Sequence, residues 1–251
     1  MELYCVKNEM KPIAYILLSK KNGYALLKGY THRIIKTVDE SLLEQASELI
    51  IKKEETIKEK YISLNQNTRI NKVLCGKILH IDGDKEYLQS CLKFYDTMNI
   101  YSWGIYIKEK EIENKIIDII KEVQPDILVI TGHDAFKGHD IKDLNDYENS
   151  NTYVNILKKI RKHYSFDELT VVIGACASHY EALIANGANF ASSPGRINIH
   201  TYDPAVVACK VATTSCNKVV DYNNIVRHIS GGKKAFGGVE TKGKMKIIYW
   251  W

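Results

Sequence analysis

Residues 126–134 read Asp-Ile-Leu-Val-Ile-Thr-Gly-His-Asp, and residues 169–179 read Leu-Thr-Val-Val-Ile-Gly-Ala-Cys-Ala-Ser-His. Each is a short apolar, β-branched run with no polar alternation, followed by glycine and then a chemically active side chain. Strands apolar on both faces belong to sheets covered by helices on both sides, which is the habit of parallel α/β folds. Working outward, the pattern alternates in type. Lys77 to Ile81 reads as a strand, Asp84 to Met98 as a helix, Ile100 to Ile107 as a strand and Glu111 to Val123 as a helix with Ile112, Ile116, Ile119, Ile120 and Val123 inward. Ser150 to Tyr164 and Ala177 to Asn186 supply two further helices, the second closed by Gly187. The expectation is an α/β fold with a mainly parallel sheet flanked by helices over residues 72–251. Beyond Ala188 the pattern weakens to a short strand near Asn189 to Ala191, a helix Pro204 to Thr214 and a final strand Met245 to Trp250.

Before residue 72 the character differs. Ala14 to Leu18 and Tyr24 to Leu27 are β-type runs around Lys20-Lys21-Asn22-Gly23, and Asn-Gly favours a type I′ hairpin. Residues 1–40 are read as a small β domain. Residues 41–71 are read as a helical linker, with an apolar stripe through Leu42, Leu43, Ala46, Leu49 and Ile50, a charged stretch and a soft end at Asn65 to Asn71.

The 251-residue chain is long enough for one large domain with a small appendage. It carries 35 basic and 30 acidic residues, a net charge of +5 that is too small and too evenly spread to be a nucleic-acid footprint. No apolar run approaches the roughly 20 residues that cross a bilayer. The opening Met1-Glu2-Leu3-Tyr4 lacks the basic and apolar regions of a signal peptide, so a cytoplasmic protein without membrane or nucleic-acid partners is expected. Six scattered cysteines with no C-x-x-C pair point to reduced thiols, with neither metal nor cofactor expected.

In open parallel sheets, ligands bind beyond the carboxyl ends of the strands. His133 and Cys176 leave two such ends. If those strands are neighbours, about 4.8 Å apart, a base stands beside a thiol. A helix starting at Ala177 would further favour thiolate and offer N–H groups to an oxyanion. That set suits acyl transfer; the plain alternative is a small buried core cysteine.

These residues sit in longer matching stretches: GKILHIDGDKEYLQSCLKFY (76–95), PDILVITGHD (125–134), GACASHYEALIANGANFASSPGRINIHTYDP (174–204), GG-x-ET-x-G (237–243) and LKGYTHRIIKT (27–37). The apolar block ending in His and the later block ending in Ala-Cys resemble the caspase-like cysteine peptidases, among them clostripain, gingipain, legumain and the metacaspases. The full set more closely resembles the YabG family of sporulation-specific proteases. The resemblance implies a caspase-like domain after a small β-barrel-like one, a cysteine endopeptidase cutting after arginine, self-processing, and spore coat and germination proteins as substrates. It also implies a place in the mother cell cytoplasm, in association with the forming coat. Cys176 becomes the nucleophile, His133 its partner, and the backbone N–H groups of Cys176 and Asp134 the oxyanion donors. Asp134 stands where many relatives have glycine. Gly174 stands where arginine-specific relatives carry an acidic pocket residue, so Asp203, then Asp140, then Glu181 are the candidates for binding an arginine.

Other side chains have plainer readings. His139 reads as a loop residue or rival base, His179 as helix surface or cleft wall, and His200 as wall or core. Asp82-Gly83-Asp84 reads as a turn and N-cap, since nothing completes a receiver-type acidic site. Gly231-Gly232 and Gly237-Gly238 form no phosphate loop and read as flexible turns. Arg69 and Arg33 are the candidate self-cleavage points. The rival readings are a Cys-dependent amidotransferase or hydrolase, disfavoured because the best histidine precedes the cysteine, and a non-catalytic receiver-like scaffold of the spore coat.

Overall fold

The structure, a computed structural model, describes residues 2–63, 73–138 and 140–248. The chain divides into two compact units, Met1–Gln66 and Asn67–Trp251. Arg69 and His139 lie outside the described residues.

The first unit is a five-stranded antiparallel sheet with one helix. Its strands are β1 (Leu3–Val6), β2 (Tyr15–Lys21), β3 (Tyr24–Gly29), β4 (Ile35–Asp39) and β5 (Leu43–Gln45), in the order β4-β3-β2-β1-β5. Asn22 and Gly23 turn the β2–β3 hairpin with φ of 52° and 79°, both in the left-handed region a type I′ turn demands. Helix α1 (Glu48–Ser63) lays Ile50 and Ile51 against Leu3, Cys5, Ala14 and Ala46. Its Glu54 carboxylate accepts the Ala14 N–H at 2.7 Å and the Thr31 hydroxyl, fastening the helix to the sheet.

The second unit holds β6 (Val73–Leu74), β7 (Ile78–Asp82), α2 (Lys85–Thr97), β8 (Ser102–Tyr106), α3 (Glu109–Val123), β9 (Ile127–Thr131), α4 (Ser150–Arg161), β10 (Thr170–Ile173), α5 (Tyr180–Ala185), β11 (Phe190–Ser192), α6 (Asp203–Thr213), α7 (Tyr222–His228), β12 (Phe236–Gly238) and β13 (Lys246–Ile247). Its main sheet has the order β12-β11-β10-β9-β7-β8, parallel except for β12. Leu79, Ile81, Leu128, Ile130, Val171 and Ile173 share a core with Ile112, Ile116 and Ile120 of α3, Tyr153, Leu157 and Ile160 of α4, and Leu183 of α5. Helices α2 and α6 cover the other face. The strands are therefore buried on both faces, and the expected mainly parallel sheet flanked by helices is what the chain forms. No helix among the described residues is long and apolar enough to cross a membrane.

Two local expectations are corrected. The Gly237-Gly238 stretch is not a flexible turn but part of β12, antiparallel to β11. A Cβ on Gly238 would stand 2.4 Å from Phe190 Cδ1 and 2.6 Å from Asn189 O, so the glycine permits close strand approach. Helix α5 begins at Tyr180 rather than Ala177, because the chain after Cys176 first makes a tight turn with Ala177 at φ 54°. Gly187 closes it with φ 107°, as its position predicted.

Candidate functional site

The strand order makes a switch point of the β7–β9 gap. The chain crosses from β7 outward to β8 and then returns to the other side of β7 as β9, which leaves a crevice beyond the carboxyl ends of β7 and β9. Register places the chemistry there. Ile130 pairs with Ile173 and accepts the Gly174 N–H at 3.1 Å, so His133 and Cys176 each follow this last paired level by three residues. Asp82 pairs with Thr131, so Asp84 and His133 each follow that level by two residues. Asp84, His133 and Cys176 thus leave the carboxyl ends of three adjacent parallel strands.

His133 is held at both its backbone and its ring. Its N–H donates to Glu109 Oε1 at 2.8 Å, and its carbonyl accepts from Asn149 Nδ2 at 2.8 Å. Glu109, from the first turn of α3, lies under both crevice turns: a Cβ on Gly83 or Gly132 would meet its Oε1 at 2.2 or 2.3 Å. Those two glycines leave the room this carboxylate occupies. The ring has Nε2 3.5 Å from Asp84 Oδ2, with the Tyr87 ring 6.0 Å away between centroids. Its Nδ1 is buried and takes no hydrogen bond among the described residues. Asp84 caps α2, with Oδ1 accepting the Glu86 and Tyr87 N–H groups at 2.9 and 3.1 Å, so its reading as an N-cap holds.

Cys176 is 1% exposed. Its Sγ accepts the Ile199 N–H at 3.3 Å, and the Ala177 N–H is taken by Ile197 O at 3.2 Å and Ser193 Oγ at 3.1 Å. The loop Ser193 to Ile199 therefore lies over the thiol. With α5 starting four residues later and capped by His179, the expected placement of Cys176 at a helix N-terminus is not realised.

Asp134 is buried and engaged by four donors. Oδ1 accepts the Asn149 and Ala135 N–H groups at 2.8 and 2.9 Å, and Oδ2 accepts the Ser150 and Ser178 hydroxyls at 2.5 and 2.9 Å. Burial pushes its carboxyl up, against the downward pull of those donors. Ser178 Oγ accepts the Ala175 N–H at 2.9 Å, and Ser150 Oγ accepts the His179 N–H at 2.8 Å. One carboxylate thereby ties the turn after β9, the start of α4 and the turn after β10.

The three carboxylates singled out for an arginine have different settings. Asp203 is fully buried, with Oδ2 on the His200 N–H at 2.9 Å and Oδ1 on the Ser230 N–H at 3.2 Å. Asp140 is exposed and accepts the Lys142 N–H at 2.9 Å. Glu181, 62% exposed at its side chain, pairs with the guanidinium of Arg196, which also donates to Tyr147 Oη at 2.8 Å and lies over that ring. The Arg196 guanidinium and its hydrogen bond hold the Glu181 carboxyl below its usual range, against burial, which is the largest single effect and raises it. Gly174 could not host an acidic side chain: its φ is 118° and a Cβ would stand 2.3 Å from Ser192 Oγ. His179 caps α5, with its ring 5.0 Å from Tyr147, and His200 is buried, its Nδ1 accepting the Tyr202 N–H at 3.2 Å. Glu109 and Ser178 went unmarked in the sequence. A glycine at each of two neighbouring strand ends was the one available sign of Glu109.

In this doubly wound α/β unit the imidazole of His133 and the thiol of Cys176 follow adjacent strand ends beside the topological switch point, the place where open α/β sheets bind ligands. Comparison with known proteins gives the family: the model of the YabG peptidase U57 family matches residues 18–249, and the chain belongs to that family. It is 42% identical over 176 residues to the sporulation-specific protease YabG of Bacillus subtilis (strain 168), a match covering 68% of this chain and 60% of that protein. The match thus spans three fifths of the relative's length.

Proposed function

We propose that this chain is a cysteine endopeptidase of sporulation, with Cys176 as nucleophile and His133 as its base and acid. The observation that carries this reading is that His133 and Cys176 follow the paired carboxyl ends of the adjacent strands β9 and β10, beside the switch point. In the proposed reaction His133 takes the thiol proton as Sγ attacks the scissile carbonyl carbon. The backbone N–H groups of Cys176 and Asp134 receive the oxyanion, and the imidazolium returns its proton to the departing amine. Water, activated by the same imidazole, then hydrolyses the thioester and restores the thiol. A thiol this deeply covered reaches a peptide only after Ser193 to Ile199 shift, so substrate entry and loop movement are one event.

Cleavage after arginine is the proposed specificity. A buried guanidinium needs a carboxylate, and Glu181 already holds one, that of Arg196, with Tyr147 as its aromatic floor. Asp203 is less suited, since both its oxygens serve backbone N–H groups. The proposed substrates are spore coat and germination proteins in the mother cell, together with the chain itself at Arg69; Arg33, the other sequence candidate, is fully buried and so is not a cleavage point of the folded chain. Incubating the chain with a peptide library and reading the cleaved bonds by mass spectrometry tests the reaction and the specificity together. Cys176→Ala and His133→Ala should each abolish hydrolysis with the fold intact, and the double variant should be no worse than either single one. Wild-type rates in either single variant would remove the pair from the mechanism.

A further inference from the structure

We propose that Asp84 is a positioning residue, holding the His133 imidazole through Nε2 so that Nδ1 is the nitrogen that exchanges a proton with Cys176; this rests on the cysteine-peptidase reading above. Asp84, His133 and Cys176 follow the carboxyl ends of the adjacent strands β7, β9 and β10, in that order, by two, two and three residues. Asp84 Oδ2 lies 3.5 Å from His133 Nε2, while Nδ1 is buried and has no hydrogen-bond partner among the described residues. A carboxylate at one ring nitrogen selects the tautomer with its proton there, and the lone pair is left on the other. The two oxygens of Asp84 divide their work. Oδ1 caps α2 on the Glu86 and Tyr87 N–H groups, which fixes the carboxylate plane, and Oδ2 is the oxygen that faces the ring. Lys108 also contributes to the charge around Asp84, and its Nζ donates to Gly83 O at 3.2 Å. Glu109 fixes the His133 backbone from the opposite side.

This division makes the role separable from the cap. Asparagine and serine are both strong N-cap residues. In Asp84→Asn the amide oxygen must stay on the helix N–H groups, so its NH2 faces Nε2 and selects the opposite tautomer, with the lone pair on the wrong nitrogen. In Asp84→Ser the cap survives and the reach to the ring is lost. We expect both variants to keep the wild-type thermal midpoint, both to keep KM for a peptide cleaved by the wild-type chain, and both to lose kcat by on the order of 100-fold or more, the scale of a misplaced general base. Asp84→Ala should add a loss of stability to the loss of kcat. Wild-type kcat in the Asn and Ser variants, with only stability lost in the Ala variant, would overturn the proposal and leave Asp84 as a helix cap. His133→Ala measured alongside separates the two claims. If it retains hydrolysis, the peptidase reading itself fails; if it abolishes hydrolysis while Asp84→Asn does not, only the role of Asp84 fails.

Discussion

Asp134 Oδ2 accepts the Ser178 hydroxyl at 2.9 Å, joining the turn that follows His133 to the turn that follows Cys176. The same oxygen accepts the Ser150 hydroxyl, so both turns are held at the start of α4 as well. Asp134→Ala would strand two buried hydroxyls and two backbone N–H groups. It should cost roughly 3 kcal/mol or more, since each buried group left unsatisfied carries its own desolvation penalty. Thermal unfolding measures that cost. Activity should fall further than the unfolded fraction explains, because the register of His133 against Cys176 depends on this tie. Asp134→Asn retains one acceptor and should fall between the two. Equal stability of wild type and Asp134→Ala would show that the tie carries no load.

The two glycines before the reactive residues should behave differently. Gly174 has φ 118° and a backbone neighbourhood closed by Ser192 Oγ, so Gly174→Ala combines left-handed strain with a collision and should destabilise by about 1–3 kcal/mol. Gly132 lies opposite only the far end of Glu109, a flexible chain end. Gly132→Ala should therefore be milder in thermal unfolding yet lower kcat, because displacing Glu109 releases the His133 N–H. A loss of stability in Gly132→Ala as large as that in Gly174→Ala would contradict this assignment.

What the sequence made legible follows from how local each signal is. ILVIT and TVVI could be placed because burial on both faces removes every polar alternative, and with them came His133 and Cys176 at the strand ends. Asn22-Gly23 and Gly187 could be placed because each needs a positive φ that few residues tolerate. The start of α5 could not, because it depends on Ser178 Oγ taking the Ala175 N–H, a bond made only once Asp134 arrives from another strand. Strand β12 was hidden because its glycines answer to Phe190, a residue of the strand beside it. Asp203 drew attention by its place after a long motif, whereas its carboxylate serves as an internal cap for His200 and Ser230. Glu109 carried no mark in the sequence, and only the pairing of β7 with β9 gives its two glycine neighbours a common meaning.

The first unit should be acid-sensitive through His32. Burial, helped by the Lys53 cation, lowers its pKa from 6.5 to about 4, while the Glu54 carboxylate stands 3.7 Å from Nδ1. A folded-state pKa below the unfolded value means that the unfolded chain binds the proton more readily. The contribution to stability is therefore present above about pH 6.5 and is lost as pH falls toward about 4, on the order of 3 kcal/mol at full expression. Glu54, whose carboxyl burial pushes up, acts in the opposite sense as pH rises. Hydrogen exchange of β2 and β3 amides in the full chain should accelerate between those pH values, and His32→Gln should flatten the dependence. Unchanged acid sensitivity in that variant would place the titrating group elsewhere.

Arg196 and Glu181 offer the sharpest separation of covering loop from specificity. Arg196 adopts φ 51° in the loop over Cys176 and is held there by Glu181 and Tyr147, one residue from the Ile197 carbonyl that occupies the Ala177 N–H. Removing Arg196 loosens the loop but leaves the carboxylate for a substrate arginine. Removing the charge of Glu181 loosens the loop and takes that carboxylate away. Arg196→Ala and Glu181→Gln should therefore both speed alkylation of Cys176 by iodoacetamide, since the thiol is 1% exposed while the loop is closed. For peptides with arginine before the cut they should diverge. Arg196→Ala should lower KM, as the substrate no longer competes with an internal guanidinium. Glu181→Gln should raise KM and cost about 1 kcal/mol in kcat/KM, because its carboxylate is 62% exposed and solvent screens much of the pairing. If Glu181→Gln cleaves arginine peptides as well as wild type while its thiol alkylates faster, Glu181 is a latch for the loop alone and the arginine carboxylate must be sought at Asp140 or Asp203.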